Sequence, residues 1–288
     1  MRRSATRVGT PVVGASGVDA PGVGVSVVSW SWAVVVTGGV YEGVPARVRR
    51  SGVGPPQHPS YAQEVTERLP LFPLGTVLFP GLVLPLHIFE GRYRKLVADL
   101  LALPEGTPRR FGVVAIRMGR EVGEDGVSAL HEVGCTAELR QVQPHEDGRY
   151  DIVAVGGTRF TVVALEPPVE GEPLHAEVTL LAERIGRDAA EAAVRTAAAF
   201  ARYQAALVEL RGEPVVTGDL PSEPLLLSYL VAAAVVVPFN DRQRFLETPD
   251  AAARLRLALA TITSELAAIA ALPSLPATDI TTTGWSPN

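Results

Sequence analysis

The sequence predicts an α+β fold in which short, bent strands come first and a bundle of helices follows. A proline-punctuated apolar stretch at 69–95 and turn-separated, partly alternating segments at 110–183 indicate the strands. Helix-periodic, alanine-rich sequence after Gly186 indicates the bundle. With 47% hydrophobic residues, the 288-residue chain can bury the core of one large domain or of two ordinary ones.

The stretch 69–95, LPLFPLGTVLFPGLVLPLHIFEGRYRK, is the one around which we expect the rest of the chain to fold. Its prolines interrupt a run that is otherwise almost entirely apolar, and Gly75 and Gly81 mark turns. Because proline has a fixed φ and no N–H, it occurs at strand starts, edges and bends, which predicts short bent strands. From Glu90 the apolar residues recur at helical spacing and predict one stripe: Tyr93, Leu96, Val97, Leu100 and Leu101.

Strand-like patterns continue to residue 183. The run FGVVAIR at 111–117 is apolar on both faces and predicts a buried strand, whereas 129–143 and 174–183 partly alternate. The dipeptide Asp147-Gly148 predicts a hairpin turn, and Gly156-Gly157 predicts a second one. Six or seven short strands at this spacing are typical of a small barrel or a sharply bent sheet.

Four helices are predicted in the second half, over 189–210, from about 219 to 237, over 241–247 and over 249–270. Asp188 is the expected N-cap of the first helix, with Glu191 as its capping-box partner. Pro221 is expected in the first turn of the second helix, and Pro238 ends it. The apolar segment 225–237 spans about 20 Å as a helix, short of the roughly 30 Å hydrocarbon core, which predicts a buried bundle helix.

Residues 1–64 differ in composition from the rest of the chain. They are rich in Gly, Val, Ser and Pro and show no sustained helical or strand period. Of the 26 basic residues only Lys95 is lysine, which is typical of GC-rich coding sequence, where reading frames extend upstream of true starts. We therefore expect 1–64 to be disordered or a spurious extension, with a native start near Val65, and 273–288 to be a flexible tail.

Charge and cysteine content limit the classes of partner. The net charge is −5, and because residues 1–64 carry +3, the remainder carries −8. An acidic folded region argues against nucleic acid held mainly by phosphate contacts. The single cysteine, Cys135, excludes an internal disulfide and fits a cytoplasmic location. No membrane partner is predicted.

Several segments together resemble the N-terminal substrate-binding domain of Lon proteases. The resemblance rests on 70–97, on FGVVAI at 111–116, on HEVGCTAELRQVQ at 131–143, on the pattern at 148–160 and on DRQRFLETPDAAARLRLAL at 241–259. It covers about residues 67–272. It implies a PUA-like, bent β-barrel subdomain over 67–184 followed by a helical bundle subdomain over 187–272.

The chemistry of the Lon ATPase and peptidase modules is not expected here. A P-loop needs Gly-Lys-Ser/Thr, and Lys95 stands between Arg94 and Leu96 in a predicted helix. The same lysine lies in an arginine-rich, solvated turn rather than in the dry pocket that a Ser-Lys dyad requires. Cys135 is expected to be a core thiol. The five histidines lack metal-ligand spacing, so we predict no metal, no cofactor and no enzymatic activity.

The resemblance implies a polypeptide-recognition module that acts as an adaptor or regulator of proteolysis. The expected partners are unfolded or degron-bearing polypeptides, with a protease as a further option. Candidate contacts are the rings of Phe72, Phe79, Phe89, Tyr93 and Phe160, although aromatic rings in such stretches pack into cores more often than they contact ligands. The alternatives are a hydrolase with an unrecognised site and a PUA-like module that binds RNA.

Overall fold

The computed structural model describes residues 25–26, 66–117, 130–211, 215–216 and 218–271. Seven strands and five helices lie in these ranges. The strands are β1 (Val25–Ser26), β2 (Thr66–Leu74), β3 (Val83–Ile88), β4 (Arg110–Ala115), β5 (Val133–Pro144), β6 (Tyr150–Leu165) and β7 (Leu174–Leu180). The helices are α1 (Gly91–Leu101), α2 (Ala189–Arg211), α3 (Pro224–Ala234), α4 (Phe239–Glu247) and α5 (Ala251–Ala271).

The predictions for 1–64 and 273–288 therefore fall outside the described residues, apart from the two residues of β1. The predicted α+β class, with bent strands first and a helical bundle second, is confirmed by the order of the elements.

The strands form one sheet that closes on itself through β6. The order is β1-β3-β6-β5-β4-β2-β7, and β7 also pairs with β6, so β6, β5, β4, β2 and β7 form a ring. β6 is 16 residues long and has room for three partners. Its first half pairs with β3 and β5, and its second half pairs with β5 and β7. The result is a small barrel from which β3 extends as an additional strand.

The two prolines within β2 are compatible with the ring because each half of β2 pairs with one neighbouring strand only. Residues 66–71 pair with β7 antiparallel, and Leu71–Leu74 pair with β4 in parallel. Pro70 belongs to the first half and Pro73 to the second. A residue without an N–H is tolerated where one side of the strand has no ladder to complete.

The turn predicted at Gly156-Gly157 is wrong, because β6 runs through both residues without reversing. A Cβ on Gly156 would lie 2.1 Å from the carbonyl oxygen of Phe79, and one on Gly157 would lie 2.6 Å from the Oγ1 of Thr136. The glycines therefore permit close approach within a bent strand, which glycine also does when no turn is made. The turn predicted at Asp147-Gly148 is confirmed, with Gly148 at φ +78°.

Helix α1 packs into one hydrophobic cluster with buried residues of β2 to β6. Its residues Tyr93, Leu96, Val97 and Leu100 are buried, and the Tyr93 ring stacks on Phe72 with centroids 4.0 Å apart. Leu101, predicted for the same stripe, is 36% exposed, whereas its neighbour Leu100 is buried.

Helices α2 to α5 form the bundle, in which α2 packs on α5 and α3. Helix α3 is a buried bundle helix, as predicted, and the described ranges contain no helix long and apolar enough to cross a membrane. Its predicted start is wrong: Glu223, not a residue near Asp219, is the N-cap. The Glu223 carboxylate accepts from the backbone N–H groups of Leu225 and Leu226, and Pro224 takes the first helical position.

The barrel and the bundle share a hydrophobic core. Val77, Phe79 and Ala115 from the strand-rich half cluster with buried residues of α2, α3 and α5. A buried guanidinium reinforces this junction, since Arg159 on β6 donates to the carbonyl oxygens of Leu246 and Thr248, each at 2.8 Å. The division at 184–187 into two subdomains stays a prediction.

Candidate functional site

The predicted contact rings occupy two kinds of position. Phe72, Phe79, Phe160 and Tyr93 are at most 2% exposed and belong to the hydrophobic cores. Phe89, which directly follows β3, is 39% exposed. Among the five residues, Phe89 is therefore the one with the exposure that a ligand contact requires, and its role in binding stays a prediction.

Beside Phe89 lies the solvent-facing side of β3 and β6, which we call the outer sheet face. Residues directly opposite in an antiparallel sheet share a face. The register places Val83 opposite Val155, Pro85 opposite Val153 and His87 opposite Asp151. These six residues define the outer sheet face.

The two faces of this part of the sheet differ in burial. The alternate residues of β3, Leu84, Leu86 and Ile88, are buried in one cluster with the apolar residues of α1. By contrast, the four apolar residues of the outer sheet face are half-buried. The outer sheet face therefore consists of two apolar rows, each a cross-strand pair of one β3 and one β6 residue. A polar row, the pair of His87 and Asp151, lies at the end nearest Phe89.

Strand β3 also has an edge that faces away from β6. Gly156 donates its N–H to the carbonyl oxygen of Leu82 at 2.8 Å, and hydrogen-bonded pairs recur every second residue in an antiparallel ladder. Val83, Pro85 and His87 therefore direct their backbone groups to the opposite edge. The two residues of β1 lie antiparallel on this edge, with Ser26 opposite His87. The edge thus accepts an extended segment of chain.

At the polar end of the outer sheet face lies a compact group that we call the histidine cluster: His87, His145 and Asp151. The Nδ1 of His87 lies 2.6 Å from one Asp151 oxygen, and the Nε2 of His145 lies 2.8 Å from the other. The Arg149 Nη1 approaches the His87 Nε2 at 3.5 Å. One carboxylate therefore holds two imidazoles.

The β5–β6 turn fixes this geometry. His145 and Arg149 close the turn through a backbone hydrogen bond from the His145 N–H to the Arg149 carbonyl oxygen at 2.9 Å. The Arg149 side chain donates to Asp147 at 2.6 Å, and this bond holds the pKa of Asp147 at about 2. Partial burial raises the pKa of Asp151, but hydrogen bonds from His87 and His145 outweigh it and lower that pKa overall.

The two residues considered for nucleophilic or base chemistry are not activated in this structure. The Lys95 ammonium donates to Asp99 at 2.9 Å and lies 3.4 Å from Glu172, and both contacts raise its pKa. The Cys135 thiol is 1% exposed, and its burial raises its pKa. A nucleophile or general base requires the opposite shift in each case.

Comparison with known proteins identifies the family. The family model of the ATP-dependent protease La (LON) substrate-binding domain matches residues 68–264. The chain belongs to this family. The match confirms the resemblance to the LON substrate-binding domain that the sequence motifs at 70–97 and 241–259 indicate.

Individual LON proteins match over the same region. The chain is 29% identical over 202 residues to Lon protease 2 of Myxococcus xanthus, covering 68% of this chain and 24% of that protein. It is 30% identical over 202 residues to the Lon protease of Anaeromyxobacter dehalogenans, covering 68% of this chain and 23% of the relative. The chain thus spans about a quarter of the length of these relatives.

Solved LON structures match as well. The Lon N-terminal domain protein from Xanthomonas campestris is 22% identical with a TM-score of 0.48, covering 67% of this chain and 98% of that one.

Sequence reasoning missed the outer sheet face and the histidine cluster. The signal for half of the cluster was present, because a turn at Asp147-Gly148 brings His145 and Asp151 to the two strands of one hairpin. His87 is 58 residues from His145 in the chain, and only the pairing of β3 with β6 brings it to the cluster. Sequence spacing carried no information about that contact.

Proposed function

We propose that this LON-family domain is a non-catalytic polypeptide-recognition module that acts as an adaptor or regulator in proteolysis. The observation that carries the proposal is the outer sheet face, where half-buried apolar rows lie beside an exposed phenylalanine and a strand edge. Membership of a family of substrate-binding domains supports it. The ligands would be unfolded or degron-bearing polypeptides with apolar segments.

The geometry suggests how such a segment would bind. Main-chain groups of an extended peptide would pair with the edge of β3 in the place of β1, where Ser26 lies opposite His87. Because Pro85 has no N–H, pairing would be strongest towards the His87 end of the strand. Alternate side chains of the peptide would then contact Phe89 or the valines of the outer sheet face.

The test uses two variants of the proposed surface and one matched control. Phe89→Ala removes the exposed ring, and Val153→Asp places a charge in the centre of the outer sheet face. Val169→Ala removes an apolar side chain that is 64% exposed in the β6–β7 connection and is not among the residues of this surface. Binding of the full chain to an array of unfolded-protein peptides, with RNA oligonucleotides beside it, gives the readout.

We expect selective capture of apolar peptides, an affinity loss of about tenfold or more in both surface variants and none in Val169→Ala. Tenfold corresponds to about 1.4 kcal/mol, a typical loss for truncation of an aromatic contact. Equal peptide binding by all variants would contradict the outer sheet face as the peptide-binding site and would indicate a site elsewhere on the domain. Salt-sensitive RNA binding without peptide binding would contradict the proposal and favour the RNA-binding alternative.

A further inference from the structure

The histidine cluster has the composition and spacing of a transition-metal site. The Nδ1 of His87, the Nε2 of His145 and a carboxylate oxygen of Asp151 all lie within 4.8 Å of one another. Two imidazole nitrogens and one carboxylate oxygen are ligands that Zn²⁺ accepts, with a fourth position left open. We propose that His87, His145 and Asp151 bind a divalent transition-metal ion of the Zn²⁺ type.

The distances require small side-chain rotations. Tetrahedral Zn²⁺ ligands at bond lengths near 2.1 Å are about 3.4 Å from one another. The observed N–O separations of 2.6 and 2.8 Å are shorter than this, and all three atoms lie within the 4.8 Å limit. An ion would therefore enter by separating groups that now bond to each other directly.

The ligands are supported by backbone elements and remain accessible. His87 and Asp151 are direct cross-strand partners on β3 and β6. His145 begins the β5–β6 turn, where its N–H bonds to the Arg149 carbonyl oxygen. The side chains of His87, His145 and Asp151 are 22%, 34% and 47% exposed, so an ion reaches them from solvent. These elements fix the positions of the three Cα atoms before any ion arrives.

Binding changes the proton arrangement of the cluster. At present the Nδ1 of His87 and the Nε2 of His145 each lie where they donate an N–H to the Asp151 carboxylate. To bind a metal ion, the Nδ1 of His87 and the Nε2 of His145 must each give up this proton so that a lone pair is free. Each proton would move to the other nitrogen of its ring or leave to solvent. The carboxylate then neutralises part of the charge of the ion.

Replacement of Arg149 tests the proposal, because the direction of the expected change in metal affinity is defined. Its guanidinium can only donate, so its approach to the His87 Nε2 at 3.5 Å favours the imidazole with its proton on Nδ1. That tautomer blocks the nitrogen proposed as a ligand. The positive charge of Arg149 also repels a cation. We therefore expect Arg149→Gln to tighten metal binding, by about threefold or more.

The experiment titrates the EDTA-stripped full chain with zinc chloride in a calorimeter. We expect one ion per chain and a loss of affinity of at least about tenfold in His87→Ala, in His145→Ala and in Asp151→Asn. His175→Ala, which removes a histidine of β7, is the matched control and keeps wild-type affinity. Far-UV circular dichroism and a Tm without metal establish that each variant is folded.

Cobalt(II) provides a second readout that does not depend on heat signals. Visible absorption of a tetrahedral Co²⁺ complex would appear in the wild type and Arg149→Gln and would be absent from the two histidine variants. The proposal is overturned if the wild type shows no saturable binding, or if His175→Ala weakens it as much as His87→Ala does. Weaker binding by Arg149→Gln would overturn the assignment of Nδ1 as the ligand atom.

Discussion

Arg254 on α5 is fully buried, and its guanidinium contacts three hydrogen-bond acceptors and one aromatic ring. It donates to the carbonyl oxygens of Phe245 and Thr248 and to the Ser228 hydroxyl, all at 2.9 Å. Its charged group also lies 4.0 Å from the centre of the Tyr229 ring. Burial lowers the pKa of Arg254, and these contacts compensate for the loss of water.

Replacement of Arg254 by alanine is expected to lower the free energy of unfolding by roughly 3 kcal/mol or more. The change removes the guanidinium donor from the Phe245 and Thr248 carbonyl oxygens and from the Ser228 hydroxyl, and it opens a cavity, and both effects destabilise. Arg256→Ala, two positions along the same helix at an exposed site, is the control and should change stability by less than about 0.5 kcal/mol. Urea unfolding of both variants measures the difference, and equal midpoints would contradict this prediction.

At the scale of elements, the β5–β6 hairpin shows how a local turn sets the chemistry of a surface. Asp147, Gly148 and Arg149 make a tight turn that the dipeptide Asp-Gly predicts. Asp147 accepts both the Arg149 backbone N–H and its side chain, and so it holds Arg149 beside His87. The turn therefore positions a cation next to the histidine cluster.

We expect Arg149→Gln to raise the pKa of Asp147 from about 2 towards its ordinary value of 3.8. Because the folded-state pKa of Asp147 is depressed, its interaction stabilises the fold above pH 3.8 and is lost as the pH falls towards 2. Carboxyl-carbon NMR titration of Asp147 measures the shift. Arg140→Gln, which removes the partner of Glu138 on β5, is the control and should leave Asp147 unchanged.

At the scale of the whole molecule, a buried arginine contributes to the junction between the barrel and the bundle. Arg159 is 2% exposed, binds Glu183 at 2.9 Å and donates to two carbonyl oxygens at the end of α4. Two backbone bonds support the same junction, from Ala251 to Arg184 and from Ala252 to Ile185. Together with the shared core, they lead us to expect that barrel and bundle unfold in one transition.

Arg159→Met keeps the apolar stem and removes the charge, and we expect it to cost roughly 3 kcal/mol of stability. Glu183 and the Leu246 carbonyl oxygen lose the guanidinium as donor, and the Thr248 carbonyl oxygen keeps only the bond from Arg254. Because the barrel and the bundle are expected to unfold in one transition, hydrogen exchange should show a loss of protection for the most protected amides of both. The control is Arg140→Met, which breaks an exposed pair with Glu138 and should cost less than about 1 kcal/mol. A loss of protection confined to the bundle would contradict a single transition.

Much of the fold was predictable because it depends on local patterns. The helices after Gly186, the turn at Asp147-Gly148 and the buried stripe of α1 follow from periodicity and turn chemistry. The turn prediction at Gly156-Gly157 was wrong for a physical reason, because glycine occurs both in turns and where another part of the chain approaches the backbone closely. Only the position of the Phe79 carbonyl group, from a distant part of the chain, decides between them.

The sequence by itself determined the α+β class, the family resemblance and the placement of most elements, because neighbouring residues carry that information. The tertiary structure alone decided that β6 pairs with three strands and that β2 runs parallel to β4. It also decided which aromatic ring stays exposed and which histidines meet. Those outcomes depend on contacts between residues far apart in the chain, and no spacing in the sequence specifies strand register across such distances.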